Sequence, residues 1–342
     1  MLVRQDKSRI LDFSSNCSEA LDISSIISDI NIDELYLNEY PFGLARKLES
    51  MILNSFQHLR VNAMLFPGGS EAIRSFLVEN IRSDDEVVLS SNTFFLYEQI
   101  LNHIGARIVS VPSDLGEDNI LSYAEASSTR TKLVILCNPN NPTGQLFSLE
   151  DMRNLLINIS SNTLVLIDEA YIEFAANNAA TFAEKLFSEH TNVVVIRTFS
   201  KAYGLAGIRL GYQLRHDECL LTTPHLTPYA GISSISLAIA IRIMEIPSLI
   251  TTLKKLIDIE KIKIYRFLDE LGILHLKSEA NFVLFYMGSM QIDFCKFAYH
   301  NYQIKVLPYI DLGKDGWIRL TIKSSEHNEI FKNSLRSYLN DL

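Results

Sequence analysis

Three short apolar runs, Lys132-Leu133-Val134-Ile135-Leu136-Cys137, Thr163-Leu164-Val165-Leu166-Ile167 and Val193-Val194-Val195-Ile196, each end in a polar cluster. Runs of this length, apolar at successive positions, read as strands buried on both faces. Around them, from about residue 60 to 215, helix-like and strand-like patterns alternate. Glu71 to Ile81 is helix-like, Glu86 to Ser90 strand-like, Phe94 to Ile104 helix-like and Arg107 to Val111 strand-like, with helices at Leu149 to Ile159 and Thr181 to Ser188 between the three runs. Such alternation predicts an α/β domain, a mostly parallel sheet flanked by helices. An open sheet of this kind gathers its ligand site at the strand ends.

The third run leads into Thr198-Phe199-Ser200-Lys201-Ala202-Tyr203-Gly204-Leu205-Ala206-Gly207-Ile208-Arg209. An isolated lysine would be an ordinary loop residue. One held over a pocket by a strand end is different: desolvation and cationic neighbours lower its pKa and make the amine a Schiff-base nucleophile. Ser200 and Arg209 read as ligands for an anionic group, and pyridoxal 5'-phosphate (PLP), an aldehyde carrying a phosphate, meets both needs. The other two runs deliver Asn138-Pro139-Asn140-Asn141-Pro142-Thr143-Gly144 and Asp168-Glu169-Ala170-Tyr171. A carboxylate at the end of a buried strand is costly without a positive partner. A pyridinium nitrogen is such a partner for Asp168; an N-cap for the next helix is the plainer reading. Strand alternation points Glu169 to the opposite face, so the two acids do not form an acid/base pair. Asn141-Pro142 reads as turn chemistry and as a candidate cis bond.

With these three motifs in this order, the sequence resembles the fold-type I PLP-dependent aminotransferases (class I/II). It is most similar to the histidinol-phosphate aminotransferase group, including the related threonine-phosphate decarboxylases, from about Asp12 to the C-terminal helix. The resemblance implies that Lys201 anchors PLP and shuttles the substrate α-proton, and that Asp168 keeps the ring cationic. It also implies that Tyr171 and Asn141 donate to the phenolic oxygen. Phosphate recognition would combine Ser200, Arg209 and the backbone at Gly68-Gly69-Ser70-Glu71, Gly69 and Ser70 opening a helix whose N-terminus offers free donors. Phe94 matches the ring that stacks on the cofactor, while Phe95 and Tyr97 read as core. Tyr40, in Asn38-Glu39-Tyr40-Pro41, resembles the tyrosine that reaches the partner subunit's cofactor phosphate, which implies a homodimer. Arg319, in Gly316-Trp317-Ile318-Arg319, falls where the family holds the substrate's acid group, and Asn281 where it lines the entrance.

Two segments depart from the group. Ser14-Ser15-Asn16-Cys17-Ser18-Glu19 replaces an N-terminal Asn-Glu-Asn-Pro-Tyr element. The opening Asp12-Phe13-Ser14-Ser15-Asn16 is closer to the threonine-phosphate decarboxylases, with Asn16 as a substrate-binding candidate. At Val306-Leu307-Pro308 a second anion-binding arginine is replaced by Leu307, which weakens the case for histidinol phosphate. The reading is therefore an aminotransferase acting on an amino acid or amino phosphate with a small carbonyl acceptor. A decarboxylase on the same scaffold is the alternative.

Composition sets the remaining bounds. The 342 residues, 47% hydrophobic and 21% charged, can bury a large core in two domains. A formal charge of −9 without a Lys/Arg run argues against nucleic acid, and no stretch reads as a membrane span or targeting segment, so the cytoplasm is the expectation. The four cysteines are widely spaced and read as reduced, mostly buried thiols; the eight histidines form no metal-binding pair. From Ser233 the pattern shifts to long helices, Ile235 to Met244 and Ser248 to Leu271. Strands at Asn281 to Tyr286, Ile304 to Leu307 and Trp317 to Ile322 follow, then a helix at Glu326 to Leu339. The expected division is a large domain over 31–232 and a smaller α+β domain from 1–30 and 233–342, with the site at their junction.

Overall fold

The computed structural model describes residues 10–18, 27–28, 30–113, 118–176, 179–219, 231–309 and 315–341. Glu19 of the N-terminal motif lies outside them. The large domain opens with helix α1 (Phe42–Leu53) and alternates β2 (Val61–Phe66), α2 (Gly69–Asn80), β3 (Glu86–Ser90), α3 (Leu96–Ile104), β4 (Arg107–Val111), α4 (Ile120–Ala126), β5 (Thr131–Cys137), α5 (Leu149–Asn158), β6 (Leu164–Asp168), α6 (Phe182–Glu189), β7 (Val193–Thr198) and β8 (Gly211–His216). A preceding strand, β1 (Leu11–Asp12), joins a separate two-stranded sheet. Strands β2 to β8 form one sheet in the order β2-β8-β7-β6-β5-β3-β4, in which only β8 runs against its neighbours.

Alternation within the central strands explains why they read as continuously apolar. Val134, Leu136, Val165, Ile167, Val193 and Val195 face a core built with α1, α5 and α6, while Leu133, Ile135, Leu164, Leu166, Val194 and Ile196 face one built with α2 and α3. Both faces are dry, so no position along these strands can be polar until the strand ends. At those ends Cys137 pairs with Asp168, and Asp168 with Ile196.

After β8 come α7 (Ser234–Met244) and α8 (Ser248–Glu270), bent by 78° at their junction. The rest comprises β9 (Phe282–Tyr286), α9 (Gln291–Tyr302), β10 (Ile304–Lys305), β11 (Leu307–Pro308), β12 (Trp317–Thr321) and α10 (Ser325–Asn340). Strands β11-β12-β9 form an antiparallel sheet, and β1 pairs with β10 in parallel. Phe13 packs with α8, β9, β12 and α10 in the second core. Three expectations change. Helix α7 buries Leu237, Ala240 and Ile243 in the first core, so the division between cores falls at the bend near Ile246 rather than after residue 232. The strand expected over Ile304 to Leu307 splits at Val306 and joins two different sheets. Of the cysteines only Cys137 is buried; Cys17, Cys219 and Cys295 are half-buried. Among the described residues no single helix is long and apolar enough to cross a membrane.

The start of α2 touches the start of β8. A Cβ on Gly211 would lie 2.5 Å from the Gly69 nitrogen, and Gly68 holds φ 96°, so glycine at both positions lets helix and strand meet. Gly211→Ala forces them apart and is expected to cost about 1–3 kcal/mol. A urea unfolding midpoint equal to that of the parent protein would show that this contact yields freely.

Candidate active site

A cavity of about 780 Å³ opens where the ends of β5, β6 and β7, the start of α2 and the β11–β12 hairpin converge. Twelve of the thirteen expected cofactor and substrate residues can be followed to it or to its wall. Gly69, Ser70, Phe94, Asn141, Asp168, Tyr171, Ser200, Lys201, Arg209, Arg319 and Asn16 line it, and Asn281 lies just behind. Tyr40 does not: it is 70% exposed and packs on Phe42 in a segment that also exposes Tyr36 and Leu37.

Lys201 follows β7 through Phe199 and Ser200. Its Nζ donates to the Ser15 carbonyl at 3.1 Å and lies 5.7 Å from the Tyr171 ring centroid. Burial, with help from Arg319 and Arg209, lowers the amine to about 8, while Cys17 and Asp168 pull the other way. Asp168 is 3% exposed. Tyr97 Oη donates to its Oδ2 at 2.6 Å and the Ala170 N–H to its Oδ1 at 3.0 Å. Burial still raises its pKa against those two bonds and against Lys201. Glu169 points to the other face, as alternation requires, and pairs with Arg197 Nε at 2.7 Å.

At one end of the cavity the helix α2 starts at Gly69 with no side chain capping it, so its first N–H groups are free to meet an anion. Arg209 Nη1 lies 3.5 Å from Ser200 Oγ beside them. At the other end Arg319, 6% exposed, donates to Asn141 Oδ1 and the Ser14 carbonyl, each at 2.5 Å. Because the Asn141 oxygen is taken, its NH2 is the group left to donate into the cavity. Neighbouring Asn140 is engaged with Thr93, Asn92 and Thr143 instead. Tyr171 Oη accepts from Asn16 Nδ2 at 3.0 Å, which leaves the phenol proton for another acceptor. The bond after Asn141 is cis, as is the one after Asn138.

Two expected substrate contacts look different in three dimensions. Asn16 spends its amide on Tyr171 and Thr321, and Asn281 donates to the Asn16 carbonyl at 3.2 Å from behind the wall. Phe95, read as core, is 51% exposed at the cavity rim, and Tyr97, also read as core, carries the hydrogen bond to Asp168. Tyr309 is a further residue that sequence reasoning missed: its Oη donates to Asn141 Oδ1 at 3.3 Å.

A pyridine ring carrying an aldehyde and a phosphate fits this donor set. The uncapped helix start and Arg209 suit the phosphate, the buried and cation-poor Asp168 suits a protonated ring nitrogen, and the low-pKa amine suits the aldehyde.

Two measurements test the electrostatics. Acylation of Lys201 in the cofactor-free protein, followed by peptide mass spectrometry, should rise through a midpoint near pH 8, since the free amine dominates above that value; a midpoint near that of ordinary lysines would contradict the burial argument. Tyr97→Phe removes a bond that holds the Asp168 carboxylate ionised. It should raise the pH at which the Asp168 carboxyl titrates in difference infrared spectra and cost about 1.5–3 kcal/mol while Asp168 is charged.

Comparison with known proteins agrees with this geometry. Residues 37–335 match the family described as aminotransferase class I and II. A histidinol-phosphate aminotransferase from Lactiplantibacillus plantarum is 31% identical over 317 residues, covering 90% of this chain and 85% of that protein. An aromatic amino acid aminotransferase from Mycobacterium bovis is 32% identical over 274 residues, 80% of this chain and 76% of that protein. The crystal structure of histidinol-phosphate aminotransferase from Sinorhizobium meliloti with pyridoxal-5'-phosphate superposes with a TM-score of 0.82 at 23% identity, over 96% of this chain and 92% of that one. Strand order, the convergence of three strand ends and the matched span together place the chain in the class I and II aminotransferases.

Proposed function

We propose that the cavity residues divide the work of a PLP-dependent amino-group transfer as follows. Lys201 Nζ would hold the cofactor through its aldehyde and would serve as the base that takes the proton from the substrate α-carbon. An amine near 8 is free in enough molecules at neutral pH to act as that base. Asp168 holds a proton on the ring nitrogen, and Tyr97 and the Ala170 N–H hold Asp168 in place. With that nitrogen protonated, the bound cofactor supplies an electron sink for the pair left on the α-carbon. Tyr171 and Asn141 donate to the ring oxygen, Phe94 covers the ring, and Gly69, Ser70, Ser200 and Arg209 take the phosphate. Arg319 takes the acid group of the substrate, while Asn16 and Asn281 keep Tyr171 and the N-terminal segment in register.

The observation that carries this reading is the cavity's polarity. A neutral-prone amine stands between a buried carboxylate and an uncapped helix start with an arginine beside it. The names of the sequence relatives supply the donor classes, an amino phosphate or an aromatic amino acid. Those relatives are aminotransferases, which favours transfer over decarboxylation. We further place the chain in the cytoplasm as a homodimer in which Tyr40 reaches the other subunit's cofactor, in keeping with the exposed aromatic segment at Tyr36 to Phe42.

The test is an absorbance spectrum of the PLP-loaded protein before and after amino donors are added. Loss of the visible band with formation of a keto acid supports transfer; carbon dioxide release with the band unchanged supports the decarboxylase. Lys201→Ala should slow the conversion by about 10²–10⁴-fold, and an unaffected rate would remove Lys201 from the reaction.

A further inference from the structure

Resting on the aminotransferase reading, we propose that the amino donor is an α-amino acid with one acidic group and an apolar or aromatic side chain, selected by Leu307 beside Arg319. The pairing of β11 with β12 sets Leu307 directly opposite Arg319. Cross-strand partners in an antiparallel pair share a face with Cβ atoms about 4.5–5.5 Å apart, and both residues line the cavity. Position 307 is therefore the backbone site from which a second cation would reinforce Arg319, and a leucine occupies it.

Arg319 itself lacks a counter-ion. Its hydrogen bonds go to neutral oxygens, Asn141 Oδ1, the Ser14 carbonyl and Tyr309 Oη at 3.3 Å, and its buried Nε has no partner. Among the described residues no carboxylate pairs with it. A guanidinium buried to this degree calls for an anion. Among the described residues, the other cations on the cavity wall are committed: Lys201 is the reacting amine, and Arg209 lies with Ser200 at the phosphate end. One guanidinium balances one carboxylate. A phosphate monoester brings a charge of about −1.5 to −2 and three strong acceptors, and its excess charge would face Leu307, with no further cation among the described residues of the wall to take it. The wall beyond Arg319 continues as Leu307, Pro308 and the ring of Tyr309, a surface that gains from an apolar side chain and strands a second acid.

The experiment uses the PLP-loaded protein and matched pairs of ligands. First, calorimetric titration compares 3-phenylpropanoate with 2-phenylethyl phosphate, which carry no amine and do not react. Second, the rate of visible-band loss is measured with L-phenylalanine, L-leucine, L-phenylalaninol phosphate and L-glutamate. The carboxylate analogue should bind, and phenylalanine and leucine should convert, at least about tenfold better than the phosphorylated and two-acid counterparts. Leu307→Arg should reverse the preference by a similar factor in both readouts, while Leu307→Met leaves it in place. Better binding and faster conversion of the phosphorylated or two-acid ligands by the parent protein would overturn the substrate class while leaving aminotransfer intact, and so would a Leu307→Arg variant with an unchanged ratio. A protein that forms no visible band with PLP, seen before any donor is added, would overturn the aminotransferase reading and this proposal with it.

Discussion

Asp168 sets a demand that the polypeptide does not meet by itself. Moving a carboxylate out of water costs several kcal/mol even after relaxation, and each hydrogen bond to a charged group returns about 1.5–3 kcal/mol. The two bonds Asp168 receives, from Tyr97 and the Ala170 N–H, offset part of that cost, and its pKa remains raised by burial. What it lacks is a cation in contact. Every feature that buries it, the dry strands on either side, α3 pressed against the sheet and the cavity roof, makes that demand sharper. A protonated ring nitrogen answers it, and the affinity for that group is in this sense stored in the fold.

The opposite sign is left open at the two ends of the cavity, and the N-terminal segment controls both the middle and the far end. The Ser14 carbonyl holds Arg319 and the Ser15 carbonyl holds Lys201 Nζ. Asn16, with φ at 55°, reaches Tyr171 with its amide and donates its backbone N–H to the Thr321 hydroxyl. Thr321 in turn donates to the Phe13 carbonyl, and Phe13 is anchored in the second core. Three consecutive residues thus couple a β7 lysine, a β6 tyrosine and a β12 arginine. A shift of this segment would be felt at all three side chains together.

Much of this was legible in the sequence because the chemistry sits at strand ends. A strand buried on both faces has to be apolar throughout, so the first polar residues past it are conspicuous, and Asp168, Asn141, Ser200 and Lys201 announce themselves that way. What local pattern does not carry is register between distant segments. Tyr97 sits one residue into α3 among aromatics that look like core; only the packing of α3 on the sheet aims its hydroxyl at a residue 71 positions later. Tyr309 is a similar case, defined by a hydrogen bond to Asn141, 168 positions earlier. The short run 304–307 read as one strand because the break at Val306 has no sequence signature.

The two neighbouring acids Asp168 and Glu169 show how far one strand can separate two electrostatic problems. Both are fully buried and both have pKa values raised by burial, yet the pleat sends them to opposite faces. Glu169 finds its cation within the protein, Arg197, which also donates to the Ala180 carbonyl. Its charge is paired before any ligand arrives, through Oε2, while the buried Oε1 has no hydrogen-bond partner among the described residues. Asp168 finds only neutral donors. A single residue of register slip would exchange them, turning Glu169 toward the cavity and Asp168, without a cation in contact, into the opposite core. The parallel sheet, dry on both sides, makes such a slip prohibitive, since it would also turn every apolar residue of β6 onto the wrong face. The reactive polarity of the cavity is therefore protected by the same packing that holds the strand in place.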